Sequence, residues 1–575
     1  MPRSSPDEPR EAPTDTPANA PADTQAPSPA RTWIPVAGLY AALAAYLLVR
    51  EIGVPIYDDG YFFKRFALHA LEHGVYAWNL EDGAVYGCTS QIFQLLATLA
   101  AAITHTHYVV AIKVLCALSL AALGALLMRW CTLAAHSHRG SLIALLALGS
   151  PLVLTTVLTG METASTLLGL AAVLMAMVGP EGHRALSARW AALLTVLVYL
   201  CRPDIALVPV VVYVVPSLLR REFPSRFLGT LAGAMLVTLV GLGLYYGTPL
   251  PLSFFMKTLG LQPYGDELFA LGRADKQIHF GATVAFATPL VYLAMHRRDP
   301  TNLALLAATG ALWAYHLTMT NEIMGYRARF YVPGLVPLCM AAARSDEAFR
   351  DRGHRRATLG LLVGLAAAIA VAYARDWIPT PRSDYLGRLA MPSYAGAVAS
   401  AGWLLLPRSW SRPRLDLSIM GLLAIASVLG WKRPVQFQVR SDAALMRVHA
   451  RQVTTVRGIF DVARCLPEAK TVYHSEMGVP GLVLWRTRVV DLAGILSDHL
   501  VYGESFETIC ERDRPEAIFL PHRNYRRLNA EIRRSPCFAS YRKVVDHSAS
   551  PLHIREDLVE PFLGCATDVQ RWQER

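Results

Sequence analysis

Long apolar segments recur along the chain and constrain its fold more than any other feature of the sequence. The first runs from Trp33 to Val49 and follows a long polar stretch. Further segments lie at 90–104, 108–128, 141–158, 164–178, 190–201, 204–219, 226–246, 279–295, 302–318, 330–343, 357–373, 395–407 and 416–431. With 53% hydrophobic and 17% charged residues, the chain lies outside the usual composition of soluble proteins. Because a helix satisfies its own backbone hydrogen bonds in lipid, the segments predict a mainly α-helical, polytopic membrane core.

Clusters of basic residues between the apolar segments predict which loops are cytoplasmic, because Lys and Arg are retained on that side. They lie at 136–139, 183–189, 220–226, 296–298, 352–356 and 408–414. Alternation then places the loops 159–163, 202–204, 246–276 and 318–329 outside. The segment 90–104 is shorter than the ~20 residues that cross a bilayer, so we expect it to dip into the membrane without crossing it. About 13 spans remain, with the N-terminus inside and the C-terminus outside.

The same clusters account for much of the excess positive charge, which amounts to a net +11. A nucleic-acid-binding protein gathers its basic residues on one face and joins them to a recognisable reading motif. No such motif accompanies these clusters. The sequence therefore predicts a lipid bilayer, and no nucleic acid, among the partners of the chain.

Composition divides the chain into three parts. Residues 1–31 are rich in Pro, Ala, Ser and Thr and predict a disordered tail. Residues 32–431 form the transmembrane core, whose first periplasmic loop covers 53–89. Hydropathy then falls, and 432–575 predict a soluble α/β domain that caps the core from the periplasmic side. Its buried strands are predicted at 471–476, 488–494 and 516–522.

Nine cysteines are present, and four of them lie in the C-terminal domain, at Cys465, Cys510, Cys537 and Cys565. In an oxidising compartment these four form two disulfides, for which three pairings exist; otherwise they are buried free thiols. None has the spacing of a structural zinc site.

Two adjacent carboxylates, Asp58 and Asp59, stand where the chain leaves the first apolar segment. Two such groups repel each other unless they are hydrated at a helix cap, are partly protonated, or together hold a divalent cation such as Mg²⁺ or Mn²⁺. The run after them is amphipathic, with apolar residues interleaved with basic ones, a pattern that suits a helix lying on the membrane surface. Its members are Phe62, Phe66, Leu68, Lys64, Arg65, His69 and His73.

Three cations lie in loops that the topology places outside, against the usual trend: Lys257, Arg327 and Arg329. An arginine fork binds a phosphate through two hydrogen bonds, so a phosphate site is one interpretation. The other is that each side chain extends to the lipid headgroups.

Polar residues also interrupt the apolar segments, and ionisable groups at such positions indicate a functional site or a buried bridge. Glu162 lies within TGMET, while Arg202 and Asp204 in CRPD are close enough to pair with each other. Tyr61, beside the two aspartates, is a further pocket candidate. The lone histidines His69, His73 and His316 are more typical of packed or surface positions.

Two segments of the C-terminal domain, 474–481 and 489–498, combine strand ends with glycine turns and carboxylates. Binding residues concentrate in such loops, so they either contact an acceptor or only support the fold. The basic run 523–534 is more typical of a solvated helix face.

These features together match the needs of one reaction. Sugar transfer from a polyprenyl phosphate requires a base for the acceptor hydroxyl, cations for the departing phosphate and a cavity open to lipid. Asp58 or Asp59 suits the first role, and Lys257, Arg327 and Arg329 suit the second.

The order of the motifs resembles the GT-C superfamily of glycosyltransferases that use polyprenyl-phosphate sugars, and within it the terminal arabinofuranosyltransferase group known from mycobacteria. The resemblance extends from Trp33 to the C-terminus. It is carried by YDDGYFFKRFALHALEHGVYAWNLEDGAVYGCTSQIFQLL, TGMET, RPD, YYGTPLPLSFFMK, RFYVPGLVP, EMGVPG and VVDLAGILSD.

The resemblance implies a catalytic aspartate at Asp58 or Asp59 and decaprenyl- or another polyprenyl-phosphoryl arabinose as the donor. It also implies a multi-helix membrane core. The function predicted from these observations is transfer of the sugar to a cell-envelope glycan or protein at the periplasmic face of the inner membrane. The sequence departs from the pattern of the group at Cys88, in place of the tyrosine of Gly-Tyr-Thr, and at Leu252, in place of an asparagine.

Two other functions are compatible with parts of the sequence. A lipid-linked sugar flippase also needs a hydrophobic cavity and buried charges, but it is typically built from repeated sets of helices, which this sequence does not show. A scaffold that presents 432–575 needs a single anchor and leaves the charged loops unexplained.

Overall fold

The computed structural model describes residues 33–136, 139–149, 153–154, 156, 159–182, 184–259, 274–320, 329–346, 440–522, 525–546 and 550–566. The predicted tail at 1–31 and the predicted spans at 357–373, 395–407 and 416–431 lie outside these residues.

The described part of the core is helical, as the apolar segments predict. Its helices are α1 (Ile34–Glu51), α2 (Asp58–His73), α3 (Gln91–Thr104), α4 (Tyr108–Ala134), α5 (Arg139–Leu148), α6 (Thr163–Met177), α7 (Ala188–Cys201), α8 (Leu207–Leu219), α9 (Ser225–Tyr246), α10 (Leu252–Lys257), α11 (Ala274–Ala294), α12 (Pro300–Met319) and α13 (Leu335–Arg344).

Within the described ranges, three helices are long and apolar enough to cross a membrane, namely α1, α4 and α9. Shorter apolar helices accompany them, so the predicted total of about 13 spans is not reached on length and apolarity alone. At 14 residues, α3 is about 21 Å long, less than the ~30 Å of hydrocarbon that a span must cross. Its length agrees with the prediction that it does not cross.

Local sequence explains several helix boundaries. The hydroxyl of Ser90 accepts the amide of Phe93 at the start of α3. Asp299 accepts the amides of Thr301 and Asn302 at the start of α12, where Pro300 fits the first turn. Gly74 ends α2 with a φ of 73°, a conformation that glycine adopts without strain.

The C-terminal domain is an α/β unit built on a five-stranded sheet with the order β2-β1-β3-β5-β4. Its strands are β1 (Thr471–His474), β2 (Arg488–Asp491), β3 (Ala517–Phe519), β4 (Tyr541–Val545) and β5 (Leu552–Arg555), and its helices are α14 (Asp442–Gln452), α15 (Ile459–Cys465), α16 (Gly478–Val483), α17 (Phe506–Asp513), α18 (Arg526–Arg534) and α19 (Val559–Cys565). The three strands predicted from the sequence are present; β1 pairs in parallel with β2 and β3, while β5 runs antiparallel to β3 and β4.

Two disulfides cross-link elements of this domain. Cys465 of α15 is joined to Cys565 of α19, and Cys510 of α17 to Cys537. The structure thereby selects one of the three pairings that the sequence left open. The other five cysteines are free and buried.

Helix α2 lies between the core and the C-terminal domain, in contact with α3 and α16. The amphipathic pattern suits a helix lying along a membrane surface, but the structure packs three of the basic residues of α2 inside the protein. Lys64, Arg65 and His69 are buried, with exposed fractions of 8%, 2% and 2%. A buried cation needs partners, and here the C-terminal domain supplies most of them.

Two reciprocal contacts join the domain to the core. Asp442 accepts the amides of Tyr108 and Val109 at the start of α4, both at 3.0 Å, and pairs with Lys64 at 2.6 Å. Asp58 of the core accepts the amides of Gly478 and Val479 at the start of α16, both at 2.8 Å. Each carboxylate satisfies amides that a helix end leaves without a partner.

Arg65 reinforces the junction. Its guanidinium donates to the carbonyls of Trp78, Gly481, Leu484 and Thr487 and to the side chain of Asn79. The indole of Trp78 and the amide of Asn79 bond to Val489 in β2. Because β2 is an edge strand, these bonds cover backbone groups that would otherwise be unpaired.

Candidate functional site

A pocket opens between the core and the C-terminal domain, with a volume of about 680 Å³ when the space open to solvent is counted. The core supplies Asp59, Glu162, Lys257 and Arg329 to its wall. The domain supplies the polar residues Ser475, Asp491 and Tyr525. The pocket therefore gathers residues from segments that are far apart in the sequence.

Asp59 lines this pocket from the first turn of α2. Its Oδ2 lies 3.9 Å from Nη2 of Arg329. Burial raises the pKa of Asp59 above its usual value, while Arg329 and Lys257 lower it. The carboxylate is thus a stronger base than a solvent-exposed aspartate, and a pair of cations lies on the same side of the pocket.

Asp58 has different surroundings, although it is the preceding residue. Both its oxygens accept amides of α16, and Nε2 of His449 lies 3.7 Å from Oδ1. It is 7% exposed and does not line the pocket. A Cβ added at Gly478 would overlap the backbone of Asp58, which explains the glycine there. Asp58 is therefore part of the junction between core and domain.

Lys257 and Arg329 are brought together as the sequence predicts. Lys257 is the last residue of the short helix α10. Burial, and after it the positive charge of Arg329, lowers the pKa of Lys257 to about 8. The guanidinium of Arg329 lies 5.1 Å from the ring of Phe330 and reaches the pocket. Two cations that face one cavity form a suitable site for a phosphate. Arg327, the third candidate, lies outside the described residues.

Behind the pocket, Glu162 and Arg202 begin a buried chain of charged groups. Nη1 of Arg202 lies 4.0 Å from Glu162, and its Nε is 2.9 Å from Asp204. Nε2 of His316 is 2.9 Å from the other oxygen of Asp204. Of these residues only Glu162 lines the pocket. The sequence left open whether Arg202 and Asp204 belong to a functional site or to a buried salt bridge. The structure shows the salt bridge, and His316 is part of it.

Tyr61 does not line the pocket, although the sequence suggested it as a candidate. Its ring is buried and meets the ring of His449 edge-on, with 6.0 Å between centroids. His69 is a packed residue, as predicted: its ring contacts Trp485 and bonds to the carbonyl of Ala77, and burial lowers its pKa to about 4. His73 is half exposed.

The two positions at which the sequence departs from the arabinofuranosyltransferase pattern lie behind the pocket wall. Cys88 is buried and its thiol donates to Gln94, while Leu252 is buried at 3% exposure. Their neighbours Gly87, Thr89 and Ser253 line the pocket instead.

Part of the wall carried a weak sequence signal or none. Ser475 and Asp491 fall in the segments 474–481 and 489–498, whose glycine turns and carboxylates marked them as candidate loops. Thr89 belongs to the Gly-Cys-Thr sequence that marks the end of the first periplasmic loop. Tyr525 had no distinguishing pattern, because its position depends on how distant segments pack.

A divalent cation remains a prediction from the acidic pair. Among the described residues, no three His, Cys, Asp or Glu side chains are arranged to hold a metal ion. The oxygens of Asp58 already accept two amides, and Asp59 faces two cations. These residues do not fit a metal site, and we derive no step through one.

Comparison with solved structures identifies the fold. The apo crystal structure of ArnT from Cupriavidus metallidurans matches with a TM-score of 0.54 and 15% identity, over 91% of this chain and 98% of that one. The structure of the same protein bound to undecaprenyl phosphate matches with a TM-score of 0.53 and 13% identity, over 90% and 97%. No family model and no curated protein matches the chain. The chain therefore shares the fold of ArnT over most of its length.

Proposed function

We propose that this protein transfers a sugar from a polyprenyl-phosphate donor to a hydroxyl group of a cell-envelope glycan or protein. The observation that carries the proposal is the placement of Asp59 in one pocket with Lys257 and Arg329. A carboxylate base and a pair of cations are the groups that such a transfer needs. The fold that the chain shares with ArnT supports it, as does the undecaprenyl phosphate bound to ArnT.

In the proposed reaction, Asp59 takes the proton of the acceptor hydroxyl while the hydroxyl oxygen attacks the anomeric carbon of the donor sugar. The bond between that carbon and the phosphate oxygen breaks, and the electron pair leaves with the polyprenyl phosphate. Lys257 and Arg329 stabilise the charge that develops on the phosphate. Asp58 takes no part in proton transfer, because amides of the C-terminal domain occupy both its oxygens.

For the donor sugar we propose arabinofuranose, on the basis of the resemblance of the motifs to the terminal arabinofuranosyltransferases. Cys88 and Leu252, where the pattern differs, are buried behind the pocket and do not alter its lining directly.

We place the pocket and the C-terminal domain at the periplasmic face of the inner membrane. The two disulfides support this side, since disulfides persist in oxidising compartments and are rare in the cytosol. The positive clusters of the core agree with it.

The proposal is tested with purified protein in liposomes, given a labelled polyprenyl-phosphate arabinofuranose and a cell-envelope glycan fraction. Covalent transfer of label to the glycan is expected, and replacing Lys257 or Arg329 with alanine should lower the rate about 100-fold. Arg542→Ala, which changes an exposed arginine of β4, is the control and should act as the wild type. Label that crosses the bilayer without attachment would instead indicate a flippase.

A further inference from the structure

The two sides of the pocket differ in chemistry. Both cations of the pocket lining, Lys257 and Arg329, lie on the core side beside the carboxylates of Asp59 and Glu162, whereas the domain side carries the hydroxyl of Ser475 and the carboxylate of Asp491. A leaving phosphate requires the cations. Sugar hydroxyls both donate and accept hydrogen bonds, so the uncharged hydroxyl of Ser475 suits them.

Ser475, on the domain side of the pocket, has a buried hydroxyl group whose hydrogen bonding the fold does not satisfy. It is 5% exposed, and its Oγ has no hydrogen-bond partner among the described residues. A buried hydroxyl without a partner costs free energy, so such groups are rare unless a ligand or water completes them. Because Ser475 lines the pocket, a bound ligand can supply the missing bond.

Asp491 shapes the wall beside Ser475. It ends β2 and is 1% exposed, and its oxygens accept the amides of Ala493, Ile495 and Leu496. These bonds hold a tight turn that presents the apolar side chains of Ile495 and Leu496 to the pocket. Apolar surface beside a few fixed polar groups is typical of a site for a small organic ligand.

We propose that Ser475 and the turn 491–496 form the acceptor subsite of the transfer reaction, and that this subsite takes a polyol, the non-reducing end of a glycan. The inference rests on the proposed function and extends it to the class of acceptor. The hydroxyl of Ser475 donates a hydrogen bond to, or accepts one from, a sugar hydroxyl next to the acceptor hydroxyl that reacts. Asp491 is a positioning residue, which holds the turn against the acceptor.

The test compares Ser475→Ala with Ser550→Ala. Ser550 is a matched control because it belongs to the same domain, is fully buried with an unpartnered Oγ, and does not line the pocket. With a short arabinofuranosyl oligosaccharide as acceptor, Ser475→Ala should raise the acceptor KM about two- to tenfold, as expected for one hydrogen bond. Hydrolysis of labelled donor to free sugar, measured without acceptor, should be unchanged in Ser550→Ala, and in Ser475→Ala it should fall by less than the acceptor kcat/KM falls.

An unchanged acceptor KM in Ser475→Ala overturns the inference, as does an equal loss of donor hydrolysis. Efficient transfer to a serine-containing peptide but not to the oligosaccharide also overturns it. Binding of the oligosaccharide to the full protein, followed by saturation-transfer NMR, gives a readout that does not need turnover. If wild-type protein binds the oligosaccharide but never consumes donor, the proposed function fails while the subsite stands.

Discussion

Asp58 and Asp59 are adjacent in the chain and yet serve different surfaces. Successive side chains of a helix point about 100° apart, so the first turn of α2 directs one carboxylate to the C-terminal domain and the other to the pocket. The oxygens of Asp58 are held at 2.8 Å by two amides. Asp59 lies near the cations Arg329 and Lys257 and lines the pocket, where a substrate can reach its carboxylate. The sequence predicts the pair as the site of the base, but the choice between its members depends on α16, which lies more than 400 residues away.

Lys257 should set the basic limb of the pH profile. Its pKa is lowered to about 8 by burial, by Arg329 and by Arg202, against the attraction of Asp59 and Glu162. The ammonium is charged below that pH and neutral above it, so transfer should fall as pH rises through about 8. Lys257→Arg should shift the limb to higher pH, because arginine stays charged. A basic limb that is identical in the two proteins, measured as kcat/KM against pH, would exclude Lys257 from this role.

At the scale of elements, α2 joins the two parts of the protein. Its amphipathic pattern is visible in the sequence and suggests a helix at a membrane surface. The partners of its basic face come from Asp442, Gly481 and Thr487, which no periodicity of α2 itself can indicate. The strands β1 to β3 were predictable because they are short, buried apolar runs, whereas the contact between them and α2 was not.

Arg65 is expected to be the most important side chain of this junction. Replacing it with alanine leaves the carbonyls of Trp78, Gly481 and Thr487 buried without their donor. The loss should lower the unfolding temperature of the C-terminal domain by roughly 5–10 °C and increase its sensitivity to protease. Differential scanning fluorimetry and limited proteolysis measure both effects. Arg542→Ala is the comparison, and unfolding at the same temperature in the two variants would refute the role of Arg65.

At the scale of the whole molecule, the sequence predicts the class of fold, the C-terminal α/β domain and most of the charged pocket residues, namely Asp59, Glu162, Lys257 and Arg329. Composition and motif order carry that information. The division of labour between Asp58 and Asp59, the burial of Tyr61, and the positions of Ser475 and Tyr525 depend on packing between distant segments. The sequence could not decide whether Arg202, Asp204 and His316 pair, because pairing depends on distances in the folded structure.

The central claim is that Asp59 of the core is the base, in a pocket that the docked C-terminal domain completes. It is tested by the transfer rate of Asp59→Asn and Asp58→Asn, each in full-length protein with labelled polyprenyl-phosphate arabinofuranose and glycan acceptor. Asp59→Asn should lose at least about 100-fold in kcat while its C-terminal domain unfolds at the wild-type temperature. Asp58→Asn should lower that unfolding temperature, and the fraction that remains docked should retain turnover. Wild-type kcat in Asp59→Asn would contradict the account.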